Sequence, residues 1–217
     1  MPHDNTYPNE TAAYRAARNR LLEEEAALRA KIEEVAELRR ALPLGGEAED
    51  YEFAAPEGAV RLSELFREGR DSLVLYSFMY GPNDEAECPM CSAYLDSANG
   101  QVGHITQRTN FAVVATSPIE RIQALAERRG WDAVPFLSAA GNTYAQDYFS
   151  EMPNGGQVPM CNVFVRRAGK VHHFWGTELF FERSPWHPRH VDMLWPLWHY
   201  FDLLPEGRGD FMPRNSY

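Results

Sequence analysis

Two cysteines, Cys88 and Cys91, stand three positions apart within residues 79–94, which read MYGPNDEAECPMCSAY. A C-x-x-C pair can form a redox-active disulfide, supply half of a metal site, or consist of two ordinary buried residues. The spacing suits disulfide closure. A structural zinc site normally requires two further Cys or His ligands at matching local spacing, and the sequence holds no second C-x-x-C. The elements around the pair must therefore decide which kind of site it is.

The pair lies at the start of a predicted helix that follows a predicted buried strand. Residues 72–80 (SLVLYSFMY) form an apolar, β-branched and aromatic run typical of a buried strand, and residues 88–99 have helical character. This places Cys88 at the helix N-terminus, whose partial positive charge stabilises a thiolate, and Cys91 one turn further in. We therefore predict that Cys88 is the attacking thiol and that Cys91 is the resolving thiol.

Three features beside the pair bear on how it would meet a substrate. Pro89 suits the first turn of a helix, and Met90 offers an adaptable apolar contact to a peptide or small thiol. Asp84, Glu85 and Glu87 precede the cysteines. We expect these three carboxylates to cover a solvated loop that complements the helix N-terminus, which predicts a less acidic Cys88 than in a strongly oxidising enzyme.

The rest of the chain predicts an α/β domain preceded by a helical arm, with the boundary between residues 1–46 and 47–217. Residues 11–42 form one long helix with Asn9 or Thr11 as its cap. Its heptad-spaced apolar positions fit packing on its own domain or a homodimer contact.

The other predicted elements belong to the α/β domain. They are a strand at 110–116, a helix to Arg129 opened by a capping box of Ser117, Pro118 and Glu120, a strand at 136–138, a short helix at 143–149, a hairpin of 162–167 and 170–175 turning at Ala168-Gly169, and an aromatic helical segment at 190–204 broken at Pro196.

Composition excludes several classes of protein. Apolar residues make up 44% of the 217 residues and charged residues 24%, which is ordinary for a globular protein. Because the net charge is −10 and no dense Lys/Arg face appears after the first 40 positions, we do not expect nucleic acid as a partner. No run approaches the ~20 apolar residues of a membrane helix, and we expect no membrane partner. Three cysteines are too few for a secreted disulfide framework, so we expect a cytoplasmic protein.

Residues downstream of the pair add to the candidate site. Val158 and Pro159 precede a predicted edge strand, where an X-Pro bond can be cis and can face the cysteines. Cys161 is interpreted first as inert packing and second as a third thiol or soft metal ligand. His172 and His173 are adjacent on a strand and must point to opposite faces. One of them could meet His104, Glu178 or the pair His187 and His190.

The order of elements resembles the thioredoxin fold. Several segments, MYGPNDEAECPMCSAYLD, FAVVATSPIERIQALAERRGW, LSAAG and FDLLPEGRGD, are more closely similar to a bacterial family of thioredoxin-like proteins of unassigned function, described as predicted dithiol-disulfide oxidoreductases. The resemblance covers residues 50–210. It implies a thioredoxin-like α/β fold, to which the sequence pattern adds a long N-terminal helix and a C-terminal aromatic helical extension. It also implies that Cys88 attacks, Cys91 resolves and Pro159 is the cis-proline. A peroxiredoxin fits less well, because no Thr lies between Pro82 and Cys88.

We therefore expect a thiol-disulfide oxidoreductase that acts on protein or small-molecule thiols or disulfides, with Pro89, Met90 and Val158 contacting the substrate. We assign no cofactor and no metal to it. Two alternatives use the same chain differently. In one, the cysteines hold copper or zinc, which soft thiolates favour. In the other, the protein is a non-catalytic interaction module whose cysteines are incidental.

Overall fold

The computed structural model describes residues 5–182, 191 and 193–216, and the chain divides into two units, Met1–Pro43 and Leu44–Tyr217. The first unit contains one helix, α1, at Ala12–Arg40. Thr11 caps it, because its hydroxyl accepts the Tyr14 amide at 3.1 Å, and two arginines in the last turn face the negative end of the helix dipole. The predicted long helix is confirmed, with Thr11 rather than Asn9 as its cap.

The second unit holds one mixed sheet with helices beside it. Its elements, in chain order, are β1 Glu52–Ala55, β2 Gly58–Arg61, β3 Ser72–Ser77, α2 Pro89–Asn99, α3 Val102–Ile105, β4 Asn110–Ala115, α4 Ile119–Arg129, β5 Phe136–Ser138, α5 Tyr144–Asp147, β6 Met160–Arg167, β7 Lys170–Gly176 and α6 Leu197–Asp202, with 3₁₀ turns at Leu62–Leu65 and Glu178–Phe180.

The seven strands follow the order β2-β1-β5-β4-β3-β6-β7. Strands β3, β4 and β5 are parallel, whereas β6 pairs antiparallel with both β3 and β7. A parallel β3-α2-β4 unit that continues through β5 and is completed by the β6-β7 hairpin is a thioredoxin-like arrangement. Every residue of β4 is buried, as expected for a central parallel strand that is covered on both faces. The fold class predicted from the sequence is confirmed.

The two faces of the sheet bury different clusters. Successive residues of a strand point to opposite faces, so Leu75 and Tyr76 of β3 enter different cores. Tyr76 belongs to the cluster that also contains Cys91 of α2, Cys161 of β6 and Trp198 of α6. Cys91 therefore packs on one side of the sheet, against β3.

The β6-β7 turn and the C-terminal end of α4 have the backbone conformations that their residue types favour. Ala168 and Gly169 connect β6 to β7 with φ of 50° and 80°, as a two-residue turn with both central residues in the left-handed region requires. Gly130 ends α4 in the left-handed conformation, with φ of 69°. Both predictions are confirmed.

The predicted capping box at Ser117 is wrong. Helix α4 begins at Ile119 after Pro118, and no side chain caps it. Ser117 is fully buried, and its hydroxyl donates instead to the Gly81 carbonyl at 2.7 Å. That carbonyl lies in the loop before the cysteines and also accepts a hydrogen bond from Arg121 at 2.8 Å. Ser117 therefore holds the end of β4 to this loop rather than starting the helix.

The C-terminal helix is shorter than predicted. Pro196 stands just before α6, as a helix break there requires, and ahead of it the Trp195 backbone amide donates to Val191 O. His190, the predicted first residue, lies outside the described residues, as do Trp186 and His187. Across the described ranges, no helix is long and apolar enough to cross a membrane.

Candidate active site

Cys88 and Cys91 lie at the start of α2, after the loop that follows β3. Cys88 is the N-cap residue of α2, Pro89 occupies the first turn, and Cys91 follows one turn further in, as predicted. Cys88 is half-buried, whereas Cys91 is 2% exposed, and both are free thiols. An accessible outer sulfur beside an enclosed inner sulfur is the arrangement that a nucleophile and a resolving thiol require.

The surroundings of Cys88 favour its thiolate. A hydrogen bond from the Cys91 thiol has the largest effect on the pKa of Cys88, and the backbone amides of Cys91 and Met90 lower it further. Burial and the charge of Asp84 raise the pKa, and the net result is a value of about 6. Cys88 is therefore mainly a thiolate at neutral pH, and the nearby acid weakens this effect without cancelling it.

Cys91 has the opposite protonation preference. Burial, followed by the neighbouring Cys88, raises the pKa of the Cys91 thiol well above its ordinary value. The Tyr76 hydroxyl, whose oxygen lies 3.3 Å from Cys91 Sγ, and the backbone at Met79 lower this pKa in part. In the reduced protein, Cys91 thus keeps its proton and donates it in a hydrogen bond to the Cys88 sulfur.

Arg121 of α4 organises the acidic loop ahead of the cysteines. Its guanidinium donates to the carbonyls of Gly81 at 2.8 Å and Pro82 at 2.9 Å, and also to the Asp84 carbonyl. It also lies 4.4 Å from the centre of the Tyr80 ring. The Asp84 carboxylate accepts the Gly81 amide at 2.6 Å, closing a turn. The exposed loop is therefore a folded structure that Arg121 fixes, with Asp84 among its internal bonds.

Glu87 departs from the predicted solvated loop. Asp84 and Glu85 are exposed as expected, but Glu87 is 7% exposed. Its carboxylate lies 3.5 Å from Arg128, and its backbone carbonyl accepts the side-chain amide of Asn215 at 2.9 Å. The C-terminal segment and α4 thus enclose the residue before Cys88, a contact between distant parts of the chain that local charge patterning does not reveal.

The predicted substrate contacts fall into two groups. Pro89 is exposed and Met90 is half-buried against the cluster that holds the cysteines. Val158 and Pro159 are buried, and the Val158 amide donates to Ser150 O at 2.9 Å. Because β6 begins at Met160, opposite Ser77, these two residues lie beside the end of β3. Pro89 and Met90 therefore form the accessible surface beside Cys88.

Cys161 is packed in the core. It lies opposite Tyr76 in the β3-β6 ladder, is 1% exposed, and exchanges backbone hydrogen bonds with the Thr177 hydroxyl at 3.2 and 3.1 Å. Burial raises the pKa of its thiol to about 12. Cys161 is therefore a protonated, inaccessible thiol in the folded protein.

The histidines do not gather around the cysteines in the described part of the chain. The ring of His172 lies 3.4 Å from Gly45 O, whereas the His173 ring contacts Asn162 at 3.1 Å, as opposite faces of a strand require. Within residues 5–182, 191 and 193–216, no three His, Cys, Asp or Glu residues form a group that could hold a metal ion.

Tyr76 is a site residue that the sequence pattern does not single out. In the sequence it is one aromatic residue of a buried strand, 15 positions before Cys91. Only the packing of α2 on β3 brings its hydroxyl to the inner sulfur. Its ring lies 4.5 Å from that of Tyr94, centre to centre. The strand alternation that turns Tyr76 toward the face of Cys91 was the one available signal.

A family model described as "Bacterial protein of unknown function (DUF899)" matches residues 4–216. The chain belongs to this family. This description agrees with the bacterial family of unassigned function expected from the sequence, and it assigns no dithiol-disulfide exchange. Among curated proteins, no significant match is found.

Several solved structures are similar to part of this chain. Peroxidoxin BcpB from Mycobacterium tuberculosis has a TM-score of 0.49 at 20% identity, covering 70% of this chain and 94% of that one. Peroxiredoxin Q from Xanthomonas campestris has a TM-score of 0.48 at 14% identity, covering 70% and 92%. An uncharacterized conserved protein from Geobacillus kaustophilus has a TM-score of 0.46 at 16% identity, covering 67% and 74%. The activities in these names belong to those proteins.

Proposed function

We propose that this protein is a thiol-disulfide oxidoreductase that uses Cys88 as its nucleophile and Cys91 as its resolving thiol. One observation carries the proposal: a half-buried thiol with a pKa of about 6 caps a helix one turn before a buried thiol of raised pKa. Thiolates, rather than thiols, attack disulfides, and Cys88 is the thiolate of this pair.

The exchange proceeds in two balanced steps. The Cys88 thiolate attacks one sulfur of a substrate disulfide, forms a mixed disulfide, and releases the other sulfur as a thiolate that takes up a proton. Cys91 then loses its proton and attacks Cys88 Sγ. This closes the Cys88-Cys91 disulfide and releases the second substrate thiol. The substrate gains two electrons and the protein loses two; the reverse sequence oxidises a dithiol.

We assign substrate contact first to Pro89 and Met90, because they present accessible apolar surface beside Cys88. Pro159 would shape the substrate groove, and Val158 would contact the substrate there; both lie directly before Met160, which pairs with Ser77 in the last position of β3. Proteins and small molecules with thiol or disulfide groups are the proposed partners.

The alkylation of Cys88 as a function of pH tests this proposal. Because the pKa of Cys88 is about 6, iodoacetamide should label it at a rate that rises through about pH 6 and levels off about two pH units higher. Peptide mapping after a short pulse of iodoacetamide measures the labelling of Cys88 separately from that of the other cysteines. In protein unfolded by urea, the midpoint should move to about 8.5. A midpoint near 8.5 in the folded protein would contradict a tuned redox thiol.

A further inference from the structure

The hydrogen bond from Tyr76 to Cys91 joins two side chains that water does not reach. Tyr76 is 1% exposed and Cys91 is 2% exposed, and the phenolic oxygen stands 3.3 Å from Sγ. Tyr76 lies in the middle of the sheet, with Cys161 of β6 opposite it on one side and Val113 of β4 on the other. Both strands fix the backbone of Tyr76, so its hydroxyl is held toward the inner sulfur.

The hydrogen bond from Tyr76 matters most in the second step of the exchange, when Cys91 attacks the mixed disulfide. Cys91 must become a thiolate while it is enclosed in an apolar cluster, and burying a charge without a partner is costly. A hydroxyl that already points at the sulfur supplies a hydrogen bond that strengthens as negative charge develops. We propose that the Tyr76 hydroxyl stabilises the Cys91 thiolate and thereby drives resolution of the mixed disulfide. This inference rests on the proposed function.

The protons balance without any change in Tyr76 itself. The proton of Cys91 leaves with the released substrate thiolate, and Tyr76 keeps its own proton throughout. Burial raises the pKa of Tyr76 well above its ordinary value, so its O–H remains a donor across the working pH range. The other titratable groups around this pair are Cys88 and Tyr94 on α2 and Cys161 on β6. Burial keeps Tyr94 and Cys161 protonated.

Tyr76→Phe tests the inference, because it removes the hydroxyl and keeps the ring. Reduced protein is mixed with excess oxidised glutathione, quenched with acid at short intervals, and analysed by intact mass, which separates the glutathione adduct from the internal disulfide. We expect the adduct to form at the wild-type rate and to resolve about 10- to 100-fold more slowly, as the loss of a hydrogen bond to a charged group implies. The pH profile of resolution should shift upward by about one to two units.

Tyr144→Phe is the matched control. It removes an equally buried hydroxyl on the opposite face of the sheet, where Tyr144 is 0% exposed, and it should leave the resolution rate and its pH profile unchanged. Equal slowing in both variants would overturn the inference, because it would indicate a general loss of packing. An unchanged pH profile in Tyr76→Phe would overturn it as well.

A second variant keeps the test decisive if Tyr76→Phe does not fold. Ring-fluorinated tyrosine incorporated at position 76 preserves the shape and makes the hydroxyl a stronger donor, so the pH profile of resolution should move downward. No shift would overturn the inference. If wild-type protein resolves its adduct but the Tyr76 variants behave like wild type, only this inference fails. If wild-type protein forms no internal disulfide at all, the proposed function fails with it.

Discussion

Cys91→Ser is expected to trap the protein on its substrate, whereas Cys88→Ser is expected to stop the reaction before it begins. A serine at position 91 leaves Cys88 to attack but removes the sulfur that resolves, so a mixed disulfide with glutathione accumulates. A serine at position 88 removes the only accessible thiol of low pKa. Exchange should fall by about a thousandfold or more, because a hydroxyl is not a competent nucleophile at neutral pH.

The third cysteine provides the control for this pair of variants. Cys161→Ser changes a buried thiol whose pKa is raised to about 12, so exchange per folded molecule should stay within about twofold of wild type. Adduct formation and release are followed by intact mass after mixing with oxidised glutathione. An adduct on Cys91 rather than Cys88, or exchange in Cys88→Ser at the wild-type rate, would contradict the assignment of the two roles.

The second large effect concerns stability. Trp198→Ala should lower the free energy of unfolding by about 3–5 kcal/mol, the usual cost of emptying a large buried aromatic site. Trp198 is 1% exposed, and its ring contacts those of Trp195 at 5.1 Å and Phe201 at 5.9 Å between centres. Because Trp198 and Cys91 belong to one cluster, the C-terminal segment is part of the core that encloses the inner thiol.

Urea unfolding followed by circular dichroism measures this difference directly. Tyr200→Ala, two residues along the same helix, is the matched control, because Tyr200 is 67% exposed and surface substitutions usually change stability by only ~0.5 kcal/mol. Equal unfolding midpoints for the two variants would show that the aromatic segment is dispensable for the fold.

Local sequence patterns were enough to predict the frame that carries the site. The apolar run of β3, the Pro at the first turn of α2 and the Ala168-Gly169 turn depend on neighbouring residues alone, and the structure has all three. The position of Cys88 at the start of α2 follows from the same local reasoning. Its low pKa follows less directly, because the hydrogen bond from Cys91 contributes more than any other interaction.

What the sequence could not predict depends on contacts between distant segments. Ser117 looks like a helix cap, yet the Gly81 carbonyl 36 positions earlier takes its hydroxyl. Glu87 looks like a surface acid until Arg128 and Asn215 enclose it. Tyr76 becomes part of the site only when α2 packs on β3. In each case, a partner from a distant segment determines what the residue does, as is common for polar groups that folding buries.

The central claim is that Cys88 and Cys91 form a reversible two-electron couple. The most direct test equilibrates the wild-type protein in glutathione buffers of stepped redox potential, quenches with acid, alkylates the free thiols and maps the peptides by mass spectrometry. The dithiol mechanism predicts one reversible transition with a slope of about 30 mV per tenfold change in the ratio, joining Cys88 to Cys91 and leaving Cys161 free. Failure of this disulfide to form at any potential, or its replacement by a bond to Cys161, would contradict the claim.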